Sequence, residues 1–112
     1  MRRTLILVDV QNGFLHNADN QVMVQKIHQL LNEQLFDRVI ATRYVNTAGS
    51  NIIRLMGWDK LLTAAEQTIP PEILEHVDYV DEKIGYSGYT DTMRKFLLQD
   101  NGDKYPEEIF LA

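Results

Sequence analysis

Leu5-Ile6-Leu7-Val8 is an unbroken apolar run that stops at Asp9, and the segment from Gln11 to Asn20 beyond it is polar. A short run without polar alternation is the pattern of a strand buried on both faces, as in the middle of a parallel sheet. From Gln21 to Leu35 the period changes. Val24, Ile27, Leu31 and Leu35 recur at helical spacing with Gln25, Lys26, Gln29 and Glu33 between them, which predicts an amphipathic helix. Val39-Ile40-Ala41 and Tyr44-Val45, within Arg38 to Val45, predict a second strand, and Asn46 to Asn51, with Gly49, a loop. The stretch from Ile52 to Ile69 predicts short helical pieces around Ile53 and Leu61. Pro70-Pro71 breaks the pattern, and Pro71 can open a helical turn through Leu74, because the first helical position has no use for an N–H. Val77 to Val80 predicts a brief third strand. Thr90 to Gln99, with Met93, Phe96 and Leu97 at helical spacing, predicts the second main helix. Asp100-Asn101-Gly102-Asp103 is expected to turn, and Ile109-Phe110-Leu111 to start a fourth strand.

Strands alternating with helices predict an α/β fold: a parallel sheet with helices on both faces. The chain shows no internal repeat, low-complexity tract or linker, so residues 1–112 are expected to form a single domain. The fourth strand is not followed by a helix that would cover it, and the expectation is a domain incomplete on its C-terminal side.

Composition narrows the function classes. An apolar share of 45% fits a globular chain with its own core. The formal charge is -5 and no dense Lys/Arg cluster occurs, so neither nucleic acid nor an anionic membrane is an expected partner. Arg2 and Arg3 read as a solvated lead-in to the first strand. The apolar stretch from Thr4 to Val10 is too short for a membrane span or a signal peptide, and a cytoplasmic location is expected. Cysteine is absent, which excludes disulfides, thiolate metal sites and a cysteine nucleophile from these 112 residues.

In open α/β sheets, sites form beyond the carboxyl ends of the strands. Asp9 stands at that end of the first strand and Lys83 follows the third, so the two can converge on one pocket with whatever follows the fourth. Each also has an ordinary role. An acid after a strand commonly caps its loop by accepting backbone N–H bonds, and position alone favours that role for Asp9. Lys83, in Asp81-Glu82-Lys83, reads alone as a solvated charge, and Tyr86 and Tyr89 beside Gly85 and Gly88 as a packed loop.

Taken together, the segments resemble the isochorismatase-like cysteine hydrolases. Asp9-Val10-Gln11-Asn12-Gly13-Phe14 after an apolar strand looks like the opening of that family, and Lys83-Ile84-Gly85-Tyr86-Ser87-Gly88-Tyr89 before a helix resembles its lysine loop. Thr42-Arg43-Tyr44 to Gly49-Ser50, with Gly57-Trp58, is similar to the second strand and the loop beyond it. Glu107-Glu108-Ile109-Phe110-Leu111-Ala112 resembles the strand that feeds the nucleophile. The likeness runs in order along essentially the whole chain.

The resemblance implies a Rossmann-like three-layer fold, strand order 3-2-1-4-5-6, and an Asp–Lys–Cys triad for amidase-type hydrolysis through a covalent cysteine intermediate. Asp9 would be the base that takes the thiol proton, and Lys83 would hold the carboxylate ionised, the two standing at the ends of adjacent strands. Phe14, Trp58, Tyr86 and Tyr89 are the expected walls for a small-molecule substrate, and no cofactor is expected. The family's cysteine would fall shortly past Ala112. The expectation is therefore a fragment of a longer hydrolase, inactive as it stands. The alternative is a non-catalytic α/β module that binds a small ligand or assembles with itself. A phosphoryl-transfer fold with a nucleophilic Asp9 is disfavoured, because Gln11 stands where a second aspartate is wanted. Metal is not expected. The zinc-using branch of the family carries Asp-x-His after the second strand, where this chain has Arg43-Tyr44-Val45-Asn46, and His16, His28 and His76 are scattered. The uncovered fourth strand implies a homo-oligomer or association with a C-terminal segment.

Overall fold

The computed structural model describes residues 3–15, 18–85, 89–99, 104–106 and 108–112. Arg2, His16, Tyr86 and the expected turn at Asp100–Asp103 lie outside them. Four strands, β1 (Arg3–Val8), β2 (Arg38–Tyr44), β3 (Tyr79–Lys83) and β4 (Glu108–Leu111), form one sheet in the order β3-β2-β1-β4. All three pairings are parallel, and the register sets Ile6 beside Ile40 and Leu111, and Tyr44 beside Lys83. The expected order of the first four strands is the one found. Among the described residues five helices connect and cover the strands: α1 (Ala18–Asn32), α2 (Asn51–Met56), α3 (Ala64–Gln67), α4 (Pro71–Leu74) and α5 (Asp91–Leu98).

The twofold alternation along the central strands sorts their side chains into two cores. Leu5, Leu7, Val39 and Ala41 face Val24, Ile27 and Leu31 of α1 and Ile73 of α4. Ile6 and Ile40 face Met93 and Leu97 of α5 on the other side, where Tyr79 and Phe96 stack at 4.6 Å. The unbroken apolar run in β1 is thus explained: both of its faces are covered. Among the described residues no helix is long and apolar enough to cross a membrane.

The structure moves several expected boundaries. Helix α1 begins at Ala18 and ends at Asn32, so Leu35 lies beyond it and is 48% exposed. The chain turns at Gln34, with φ 55°, and carries Phe36 back against the core. Leu61 is fully buried but not helical. Its φ is 62°, and α3 starts three residues later behind the Thr63 cap. The third strand starts at Tyr79 rather than Val77 and runs on through Lys83. Asp78 sets the start. Its N–H donates to the Val39 carbonyl and its carboxylate accepts from the Val39 N–H, which aligns β3 against β2. The polar end of β3 conceals it in the sequence, because Asp81 and Lys83 look solvated although both are buried.

β4 lies at the edge of the sheet among the described residues. It pairs with β1, and the Val8 N–H donates to the Ala112 carbonyl at 2.8 Å. Phe110 stacks edge-on against Phe36, while Leu111 is 72% exposed. Arg3, placed in β1 rather than ahead of it, pairs with Glu108 across this edge.

Candidate active site

β1, β2 and β3 end at one rim of the sheet, where Asp9 leaves the strand conformation at φ 55°. Aspartate tolerates this left-handed region better than most residues, yet a non-glycine residue there costs about 1–2 kcal/mol. The strained backbone is held by polar contacts. The Asp9 N–H donates to Thr42 Oγ1 at 3.1 Å, and the Thr42 hydroxyl donates to Asp9 Oδ1 at 2.7 Å. The other carboxylate oxygen, Oδ2, lies 3.2 Å from Lys83 Nζ. Among the described residues, the Asp9 carboxylate meets a side-chain hydroxyl and an ammonium rather than the backbone N–H groups of a loop cap. The Lys83 side chain is 4% exposed and that of Asp9 is 23% exposed, so the pair is shielded below and open above.

Asp9 and Lys83 meet as expected, although their strands are not adjacent. β2 lies between β1 and β3. Two strand spacings amount to roughly 10 Å, a gap that the long lysine stem closes by crossing over the end of β2. Thr42 of the intervening strand then completes the carboxylate's environment.

Gln11 holds the rim together. It is fully buried, and its side-chain amide copies a strand's backbone. Oε1 accepts from the Tyr44 N–H at 2.7 Å, while Nε2 donates to the Tyr44 carbonyl at 2.8 Å and the Gln67 carbonyl at 3.0 Å. The β1–β2 ladder is in effect extended past the point where β1 turns away. Gly13 follows in a 3-10 turn, Asn12–Phe14, where a Cβ would overlap the Leu61 side chain. Asn20 and Gln21 of α1 donate to the carbonyls of Phe14 and Leu15 and fix the exit of that turn.

Beside the pair lies a cavity of about 450 Å³, lined by Asp9 and Lys83 together with Phe14, Tyr44, Ile52, Met56, Trp58 and Gly85. Phe14 and Trp58 stack at 5.7 Å, and Tyr44 tilts against Trp58. Asn46, buried, positions the tryptophan loop. Its amide donates to the Lys60 carbonyl, and its Oδ1 accepts from the Thr47 N–H and the hydroxyl of Ser50, which caps α2. On the other side, the Thr90 hydroxyl donates to buried Asp81 and accepts from the Met93 N–H, so the start of α5 is tied to β3 just below Lys83.

Phe14 and Trp58 thus line one cavity with Asp9 and Lys83. Tyr89 does not line it. It is exposed, and its hydroxyl meets that of Tyr105 at 2.5 Å, a hydrogen bond that raises the Tyr89 phenol above its ordinary value. Tyr86 lies outside the described residues. Thr42, Gln11, Tyr44, Ile52 and Met56 are the site residues that sequence reading missed. A usable signal existed for Thr42 and Gln11, polar residues that directly follow an apolar one, Ala41 and Val10, near the carboxyl ends of strands.

No family model matches the chain, and no curated protein matches its sequence. Among solved structures it is similar to N-carbamoylsarcosine amidase from Thermoplasma acidophilum, at a TM-score of 0.68 and 23% sequence identity; the match covers all of this chain and 67% of that one. The chain has the isochorismatase-like fold. The fold that the motifs implied is the fold found.

Proposed function

We propose that this rim is the acid–base part of an amidase-type cysteine hydrolase centre for a small-molecule substrate. The observation that carries the reading is the buried Lys83 ammonium 3.2 Å from the Asp9 carboxylate, at the floor of an aromatic cavity. The amidase fold supports it. The Asp9 carboxylate, open to the cavity, is the group placed to act as a base. Thr42 and Lys83 hold its two oxygens in place, which limits the reorganisation a proton transfer needs. In this reaction Asp9 takes the proton of a thiol. The thiolate adds to the substrate carbonyl carbon, and the C–N bond breaks as the amine leaves with the proton from Asp9. Water then hydrolyses the thioester. None of the 112 residues supplies the thiol.

The proposal therefore carries a negative expectation. The 112-residue chain, incubated with an N-carbamoyl amino acid or a simple amide, should show no covalent turnover, since losing a nucleophile removes several powers of ten in rate. Robust turnover that disappears in Asp9→Ala would overturn it. Turnover that survives Asp9→Ala points to a contaminant. An in-frame cysteine within a turn or two of codon 112 in the gene would supply the missing group.

The absence of a thiol favours a second reading, a binding module using the same cavity. Trp58 is the chain's single tryptophan and forms a wall of the cavity, so its fluorescence reports ligand entry. Saturable quenching by a small molecule, with no turnover and no cysteine in the gene, would select the binding module.

The partner of the β4 edge belongs to the same proposal. Its exposed apolar residues and unpaired backbone offer a template for another strand, either a second copy or a separate C-terminal segment. Light scattering should show mass rising with concentration, and Ile109→Lys with Leu111→Lys should suppress the rise. Constant monomer mass with cooperative unfolding would show that this edge needs no partner.

A further inference from the structure

At the opposite rim of the sheet, beside the amino ends of β2 and β3, the fold gathers groups that are far apart in sequence. His28 lies on α1 next to buried Ile27, and Glu75 and His76 form the turn that closes α4. One ligand atom from each of the three residues falls within 4.8 Å of the others. The imidazole rings meet edge-on at 5.9 Å, and Glu75 Oε1 is 3.6 Å from His76 Nε2. That nitrogen is shut off from solvent and has no hydrogen-bond partner. A buried polar atom without such a partner is uncommon in folded proteins and asks for an explanation, an unseen ion among them. The expectation that the histidines are scattered is corrected here: α1 and α4 cover the same sheet face, which brings His28 and His76 together.

We propose that His28, Glu75 and His76 bind one divalent transition metal of the zinc class. Two imidazoles and one carboxylate suit zinc-like ions and do not suit magnesium, which prefers an all-oxygen shell. The remaining positions are left to water. Neighbouring Asp37 and Asp78 lie outside the set, and their carboxylates accept the backbone N–H groups of Arg3 and Val39. The site stands at the other end of the sheet from Asp9 and Lys83, so its role is structural. It cross-links α1 to the turn that leads into β3.

Titration of Zn²⁺ into untagged protein, read by calorimetry, should show one equivalent bound and a metal-dependent rise in Tm. Mg²⁺ should show neither effect. His28→Ala and His76→Ala should each weaken Zn²⁺ binding by at least about tenfold, whereas Asp9→Asn should leave it unchanged. Should either histidine variant lose its fold, nitrogen NMR of the wild-type imidazoles decides: Zn²⁺ must shift His28 and His76 together. No binding, binding unaffected by both variants, or shifts confined to His16 would overturn the site.

Discussion

Replacing Gln11 by alanine is expected to lower the stability of the folded chain by about 3 kcal/mol, and to do so without touching a catalytic group. The substitution removes the amide's bonds to the Tyr44 N–H, the Tyr44 carbonyl and the Gln67 carbonyl, the first two of them buried. Each buried polar group left without a partner costs roughly 1–3 kcal/mol, and partial relaxation or water entry keeps the sum below the maximum. Gln11→Glu should not rescue the loss, because a carboxylate accepts from Tyr44 but offers nothing to the two carbonyls. Urea unfolding checks this through a lower midpoint at an unchanged slope. A change below about 0.5 kcal/mol, the range of ordinary surface substitutions, would mean that the amide does not hold the rim.

The second large effect is expected from the ion pair. Asp9→Ala removes the carboxylate beside a nearly buried ammonium, takes an acceptor from Thr42, and puts alanine at φ 55°. A loss of about 3 kcal/mol follows, at the lower end of the range for breaking a buried pair because Asp9 is partly open to water. Asp9→Asn should cost less, since asparagine accepts from Thr42 and tolerates the left-handed backbone. Lys83→Met should also destabilise singly, yet the double variant Asp9→Asn/Lys83→Met should recover much of the loss, because a neutral pair leaves no uncompensated charge. The double-mutant cycle is expected to give a coupling of about 1–2 kcal/mol. Additive single effects would show that the two side chains do not interact in solution, and the proposed acid–base role would fall with them.

Hydrophobic pattern made much of this architecture legible. The run Leu5 to Val8 announced a strand buried on both faces, the period of Val24, Ile27 and Leu31 announced α1, and Pro71 marked the first helical residue of α4. These signals are local, since burial periodicity is written into neighbouring residues. The strand-end positions of Asp9 and Lys83 were legible for the same reason.

Contacts between distant segments were not. Lys83 looked solvated because it closes the charged triplet Asp81-Glu82-Lys83, and only the β2–β3 register sets it, buried, beside Tyr44. The meeting of Asp9 with Lys83 across β2 depends on sheet order and on the reach of one side chain, neither of which periodicity encodes. Gln11 read as a loop residue, because its partners Tyr44 and Gln67 lie 33 and 56 positions away. His28 and His76 approach through the packing of α1 on α4, and no sequence spacing records that. The chain's own pattern thus determined which segments become strands and helices and which faces they bury. Tertiary structure alone decided which polar side chains meet, because a buried polar group is defined by partners that the fold brings from elsewhere in the chain.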